Sequence, residues 1–144
     1  LLLIVLLLIV PLSSFYITYK RLQETQNNNH WFYISRKEKD ALNFLNQYTS
    51  QGSGVLAAYN FGNIIPAFTF NRVYLGHLLQ TPDAEFKINQ TIKFYTNAFS
   101  EKEAAEFLKS ENIKFVVWGP EDGAIKYTFL KSYFSENGIK IIGF

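Results

Sequence analysis

The stretch that decides the fold is residues 54–82, GVLAAYNFGNIIPAFTFNRVYLGHLLQTP. It reads as a strand from Val55 to Tyr59, a polar turn at Asn60, Phe61, Gly62 and Asn63, a short apolar segment, and a second strand at Val73, Tyr74 and Leu75 that runs into Gly76 and His77. Thr81 and Pro82 then give a helix start, with Thr81 as N-cap and Pro82 at the first helical position, where its missing N–H costs nothing. A strand that ends in glycine and polar residues leaves backbone N–H groups and side chains at its C-terminal edge, where open α/β sheets bind ligands. Both strands end that way, so the two polar turns are expected side by side on one rim, which becomes the candidate functional surface.

Toward the N-terminus, Ser35 and Glu38 form a capping box, and Ala41, Leu42, Phe44, Leu45 and Tyr48 fall on one face of a helix running from Arg36 to about Tyr48. Gly52 and Gly54 end that segment. Residues 20–30, which include three consecutive asparagines, read as a linker, and Trp31, Phe32 and Tyr33 either sit at the headgroups or make the first packing contact of the domain of residues 31–144. Residues 1–19 carry no charge and only Ser13, Ser14 and Thr18 as hydroxyl interruptions among apolar and aromatic residues, with Pro11 inside. That suits the last part of a transmembrane helix, with Phe15, Tyr16, Tyr19, Lys20 and Arg21 as an interfacial belt. A signal peptide is the rival reading, and it lacks a basic start and a good cleavage site. With ten apolar residues at its start and no methionine, the chain reads as a piece of a longer protein.

Toward the C-terminus, Phe86, Ile88, Ile92, Tyr95 and Phe99 describe a buried helical stripe. Ser100 and Glu103 make a second capping box, with Ala104, Ala105, Phe107 and Leu108 as the apolar face of the next helix. Residues 113–119 contain Phe115, Val116, Val117 and Trp118, a continuous apolar run of the kind a central strand shows. Tyr127, Leu130, Tyr133 and Phe134 predict a last helix closed by Asn137 and Gly138, after which residues 139–144 open another strand. Alternating strands and helices predict an α/β fold: a three-layer, parallel sheet of about four strands in the order 2-1-3-4, with helices on both faces.

Composition narrows the chemistry. Fourteen basic and twelve acidic residues leave a net charge of +2 with no long run of one sign, which argues against nucleic acid as a partner. The absence of cysteine excludes disulfides and thiolate metal sites, and two histidines exclude a His-rich metal cluster. Neither GxGxxG nor GxxxxGK[ST] occurs, so no nucleotide fingerprint is present.

Several residues admit two readings. Gly62 and Asn63 either offer backbone amides to an anion, as helix N-termini do, or form a plain βα turn capped by Asn60 or Asn63. His77 is either a general base or hydrogen-bond donor at a strand end, or a structural histidine. Arg72 suits a phosphate or carboxylate, or is a surface arginine; preceding its strand, it belongs to the edge opposite the rim. Glu121 and Asp122 are either a carboxylate pair for a metal or acid/base work, or a turn before Gly123. Asn89 and Thr91 fit a glycosylation sequon that falls in mid-helix.

The pattern Val55-Leu-Ala-Ala-Tyr59, Gly62-Asn63, Ile65-Pro66-Ala67, Arg72-Val-Tyr74, Gly76-His77, Thr81-Pro82, Lys87 and Phe115-Val-Val-Trp-Gly119 resembles the C-terminal soluble domain of bacterial multi-spanning GT-C type glycosyltransferases. These are relatives of the dolichyl-phosphate-mannose protein mannosyltransferases and of the aminoarabinose transferase. The resemblance covers residues 31–121 in loose form. It implies an extracytoplasmic domain at the cell membrane, whose parent chain transfers a sugar from a polyprenyl-phosphate donor to an acceptor glycan or protein. The acidic first external loop of such enzymes lies upstream, so no catalytic residue is carried over. No cofactor is expected in this stretch, and a divalent metal belongs to the parent enzyme. Gly62, Asn63, Gly76, His77 and Thr81 are the candidate substrate-binding residues, a family signature without an assigned role. The competing expectation is a single-pass tethered domain whose aromatic surplus and polar rim recognise a glycan or protein.

Overall fold

The structure is a computed structural model that describes residues 2–26, 33–119 and 122–143, with side chains from Pro11 onward. The chain divides into two compact units, Leu1–Ile34 and Ser35–Phe144. The first unit holds α1 (Leu2–Gln26), which continues as helix through Lys20 and past the start of the expected linker. Good helix formers sustain it there, with an Arg21–Glu24 ion pair at 2.9 Å and a Gln23 amide donating to the Tyr19 hydroxyl at 2.9 Å. Among the described residues no helix is long and apolar enough to cross a membrane. Residues 1–10, on whose side chains the membrane expectation chiefly rests, lie outside the described side chains, as do Trp31 and Phe32.

The second unit is a mixed α/β domain. In chain order its elements are α2 (Arg36–Tyr48), β1 (Gly54–Leu56), α3 (Tyr59–Phe68), β2 (Arg72–Val73), α4 (Ala84–Tyr95), α5 (Glu101–Ser110), β3 (Ile113–Trp118), β4 (Lys131–Glu136) and β5 (Ile139–Gly143). Both expected capping boxes form: Glu38 N–H donates to Ser35 Oγ at 3.3 Å and Glu103 N–H to Ser100 Oγ at 3.3 Å, each glutamate accepting in return from its serine N–H.

The sheet corrects the expected strand order. Among the described residues it has five strands in the order β2-β1-β3-β5-β4. β2, β1 and β3 are parallel, whereas β5 runs antiparallel to both β3 and β4. The all-parallel 2-1-3-4 sheet fails at its fourth place because Tyr127, Leu130, Tyr133 and Phe134 do not make a helix. Asn137 and Gly138 have φ of 50° and 84°, the consecutive positive φ angles of a type I′ hairpin turn, not the single left-handed residue of a helix end. The turn folds residues 131–136 back on residues 139–143, and β5 enters the sheet beside β3.

Helices cover both faces. Leu56 and Val116, partners in register, belong to a core with Phe94 and Tyr95 of α4 and Ala104 and Leu108 of α5. Val117, Ile141 and Phe134 form a row across β3, β5 and β4 on the opposite face. There α2 packs, its Phe44 ring 5.2 Å from that of Phe134. Two expected elements shift. α3 occupies the segment read as strand end and polar turn, and α4 starts at Ala84 behind Asp83 (φ 53°) instead of at Thr81. On α4 the buried residues are Thr91, Phe94 and Tyr95, while Phe86 and Ile92 of the expected stripe are more than half exposed.

Candidate functional site

The rim begins where β1 stops. Ala57 and the N-cap residue Ala58 lead into α3, and Gly62 N–H donates to the Ala58 carbonyl at 2.8 Å. Asn60, Phe61, Gly62 and Asn63 therefore form the opening of a helix at the C-terminal edge of the parallel strands. Gly62 is buried, and a Cβ there would collide with the Leu75 carbonyl oxygen. From the other side, a Cβ on Gly76 would lie 3.2 Å from Val73 Cγ2 and 3.7 Å from the Gly62 carbonyl oxygen. The two glycines mark one place where the backbone leaving β2 crosses the start of α3. Pro66 has no N–H to give the Gly62 carbonyl, so that acceptor is left outside the helical ladder at this crossing.

Thr81 closes the turn that follows. Its Oγ1 accepts from Gly76 N–H at 3.3 Å and donates to the His77 carbonyl at 3.0 Å, which also accepts from Gln80 and Thr81 N–H at 2.9 Å each. Thr81 is thus a turn-closing residue and not the N-cap of α4. The structure brings Gly62, Gly76, the His77 backbone and Thr81 together, with Asn63 beside Gly62 on α3. His77 presents an exposed side chain, and Asn63 Oδ1 is buried with no partner among the described residues. The turn also lifts Leu78 and Leu79 into solvent, Leu79 to 92 %. Beneath the rim, the Tyr95 hydroxyl donates to the Val117 carbonyl at 2.5 Å and lies 3.4 Å from that of Leu56, tying α4 to the ends of β3 and β1.

The other candidates lie apart. Arg72 opens β2 opposite Gly54, exposed, at the edge away from the rim. Asp122 accepts from Gly119 N–H at 2.7 Å and so acts within a turn; Glu121 lies outside the described residues. Asn89 and Thr91 sit within α4, with Thr91 buried. Lys87 holds its ammonium 5.2 Å above the Tyr74 ring, which meets Phe107 edge-on at 5.2 Å. Asn71, not among the sequence candidates, has a buried amide near the start of β2 against the end of α2. Its only signal was a polar residue between an aromatic and a strand.

Burial pushes the Tyr74 phenol up to about 12, helped by the charge of Glu111. Burial also raises Tyr95, with a smaller contribution from Asp122, and Tyr127. An unfolded tyrosine ionises near 10, so between there and the folded values the native state holds protons that the unfolded state has lost. Stability is therefore expected to be full below about pH 10 and to fall as pH rises above it. Urea titrations at pH 8 and 11, with phenolate absorbance followed in parallel, check this; equal midpoints at the two pH values would contradict it.

No family model and no curated protein matches the sequence. Among solved structures, the chain is similar to the C-terminal globular domain of oligosaccharyltransferase from Archaeoglobus fulgidus. The likeness is one of fold. Its TM-score is 0.60 at 16% sequence identity, and it covers 77% of this chain and 98% of that domain.

Proposed function

We propose that this chain is the C-terminal, non-catalytic domain of an integral-membrane glycosyltransferase of the GT-C type. The fold likeness to the globular domain of an oligosaccharyltransferase carries this reading. The sequence pattern around Gly62-Asn63 and Gly76-His77 supports its finer part: a bacterial enzyme that uses a polyprenyl-phosphate-linked sugar, with this domain outside the cytoplasm and residues 1–19 as a membrane helix. The domain supports substrate binding or assembly through the rim of Gly62, Asn63, Gly76, His77 and Thr81. The exposed Leu78 and Leu79 beside it favour assembly against an apolar partner surface.

Recovering the upstream reading frame tests the proposal. Further hydrophobic spans with an acidic first external loop are expected, and a start codon shortly before Leu1 would overturn it. The rim has its own test in the parent enzyme. Because the His77 side chain is exposed, His77→Ala is expected to change stability by no more than about 0.5 kcal/mol while sugar transfer falls. A lowered melting temperature with transfer intact in the folded material would mark His77 as structural.

A further inference from the structure

β4 closes one side of the sheet, with β5 as its neighbour and no strand beyond it among the described residues. All of its residues but Phe134 are exposed. Glu136 and Ile139 flank the two-residue Asn137-Gly138 turn, and the pair that flanks such a turn exchanges both of its backbone hydrogen bonds. Alternation along the strand from that pair directs the N–H and C=O groups of Ser135, and past the irregularity those of Ser132, away from β5 and toward the open edge. A bare edge of this kind is a template for another strand.

The side chains say which strand fits. Lys131 and Glu136 are separated by an odd number of positions, which in a regular strand would put them on opposite faces. The extra residue Tyr133 cancels that offset. Lys131, Phe134 and Glu136 stand opposite Gly143, Ile141 and Ile139 on one face, and Ser132 and Ser135 opposite Ile142 and Lys140 on the other. Read outward from Phe134, the strand therefore shows the same order in both directions, a serine and then a charge, with the sign reversed between the two ends. Neither charge has an ion-pair partner among the described residues. We propose that β4 is a dimerisation edge, to which a second copy of this chain adds its own β4 antiparallel about a two-fold axis normal to the sheet at Phe134. Ser132 of each copy then exchanges backbone hydrogen bonds with Ser135 of the other. Lys131 of each falls opposite Glu136 of the other, in the non-hydrogen-bonded pairing that brings side chains closest. The same charges reject the parallel arrangement, which sets lysine against lysine and glutamate against glutamate. β2 lies at the other end of the strand order, so the pairing leaves the rim uncovered. The inference stands on this edge alone, and its failure leaves the glycosyltransferase reading untouched.

The test is sedimentation equilibrium of the full chain in non-ionic detergent micelles, together with amide hydrogen exchange. A dimer is expected, with a dissociation constant on the order of 10–100 µM for so short an interface. The Ser132 and Ser135 amides are expected to exchange more slowly as concentration rises. Both charged residues are exposed, so Lys131→Glu and Glu136→Lys should each keep the fold while weakening association about tenfold or more, and the chain carrying both substitutions should regain it. A chain that stays monomeric up to about 1 mM would overturn the proposal. So would a dimer in which the two serine amides stay unprotected, or one that the single reversals leave as tight as before, since another surface then holds it. Failure of the double reversal to bind more tightly than the single ones would overturn the register and the proposal with it.

Discussion

Phe94→Ala is expected to destabilise the domain by about 3–5 kcal/mol, a large share of the roughly 5–15 kcal/mol that holds a domain together. Phe94 is fully buried, and its ring lies 4.9 Å from Tyr127, 5.8 Å from Tyr95 and 6.0 Å from Phe107. Removing it empties the place where α4, α5 and the segment before β4 meet. Its neighbours are aromatic rings that cannot collapse into the gap without leaving their rotamers. The Phe94 carbonyl also accepts from the Tyr127 hydroxyl at 3.2 Å, so a shift of the backbone would loosen a second contact. Urea denaturation followed by circular dichroism measures the effect as a lower midpoint at unchanged slope. Phe94→Leu should cost less than half as much; equal losses in the two variants would show that ring packing is not what matters there.

Gly62→Ala is the second large effect, and here the sign itself decides. Alanine in place of glycine inside a helix ordinarily stabilises by about 0.4–1 kcal/mol, through helix propensity and a less flexible unfolded chain. At Gly62 the added methyl meets the Leu75 carbonyl oxygen, a backbone atom that cannot swing aside. Overpacking of this kind costs about 1–3 kcal/mol, so after the helix gain a net loss of about 1 kcal/mol is expected. A melting temperature raised by the substitution would mean that α3 and the end of β2 can part without penalty. The glycine pair would then lose its structural explanation.

Local chemistry made part of this fold readable. The capping boxes at Ser35 and Ser100 located α2 and α5 because both partners of each box lie within one helical turn. The apolar runs at Val55 and at Phe115–Trp118 located β1 and β3 because strands covered on both faces have little polar surface. The hairpin was hidden by a coincidence of spacing. Tyr127, Leu130 and Tyr133 recur every three residues, as on a helix, yet Asn137-Gly138 serves a helix end and a hairpin turn equally well until the pairing of β5 with β3 chooses. The α4 stripe went astray for a related reason: Phe86 and Ile92 have the right period, but the neighbouring elements cover the side bearing Thr91, Phe94 and Tyr95. At the rim, the glycines of the two polar turns stood out in the sequence. What they are for depends on two backbones meeting in space. Asn71 carries little signal of this kind, since its burial against Thr49 exists only once the end of α2 meets the segment entering β2.

The place of β5 sets the schedule on which this domain can form. As the polypeptide emerges from the ribosome, β1, β2 and β3 are all available by Trp118, but the neighbour that covers the free side of β3 is made only with Ile139–Gly143. Until then the apolar side chains of Val116 and Val117 sit on a strand with one unsatisfied edge, the state in which a nascent chain is most open to pairing with another copy of itself. Closure comes in one late step, when the Asn137-Gly138 turn delivers β4 and β5 together and leaves at the sheet margin a strand with an irregular register and a charge at each end, Lys131 and Glu136.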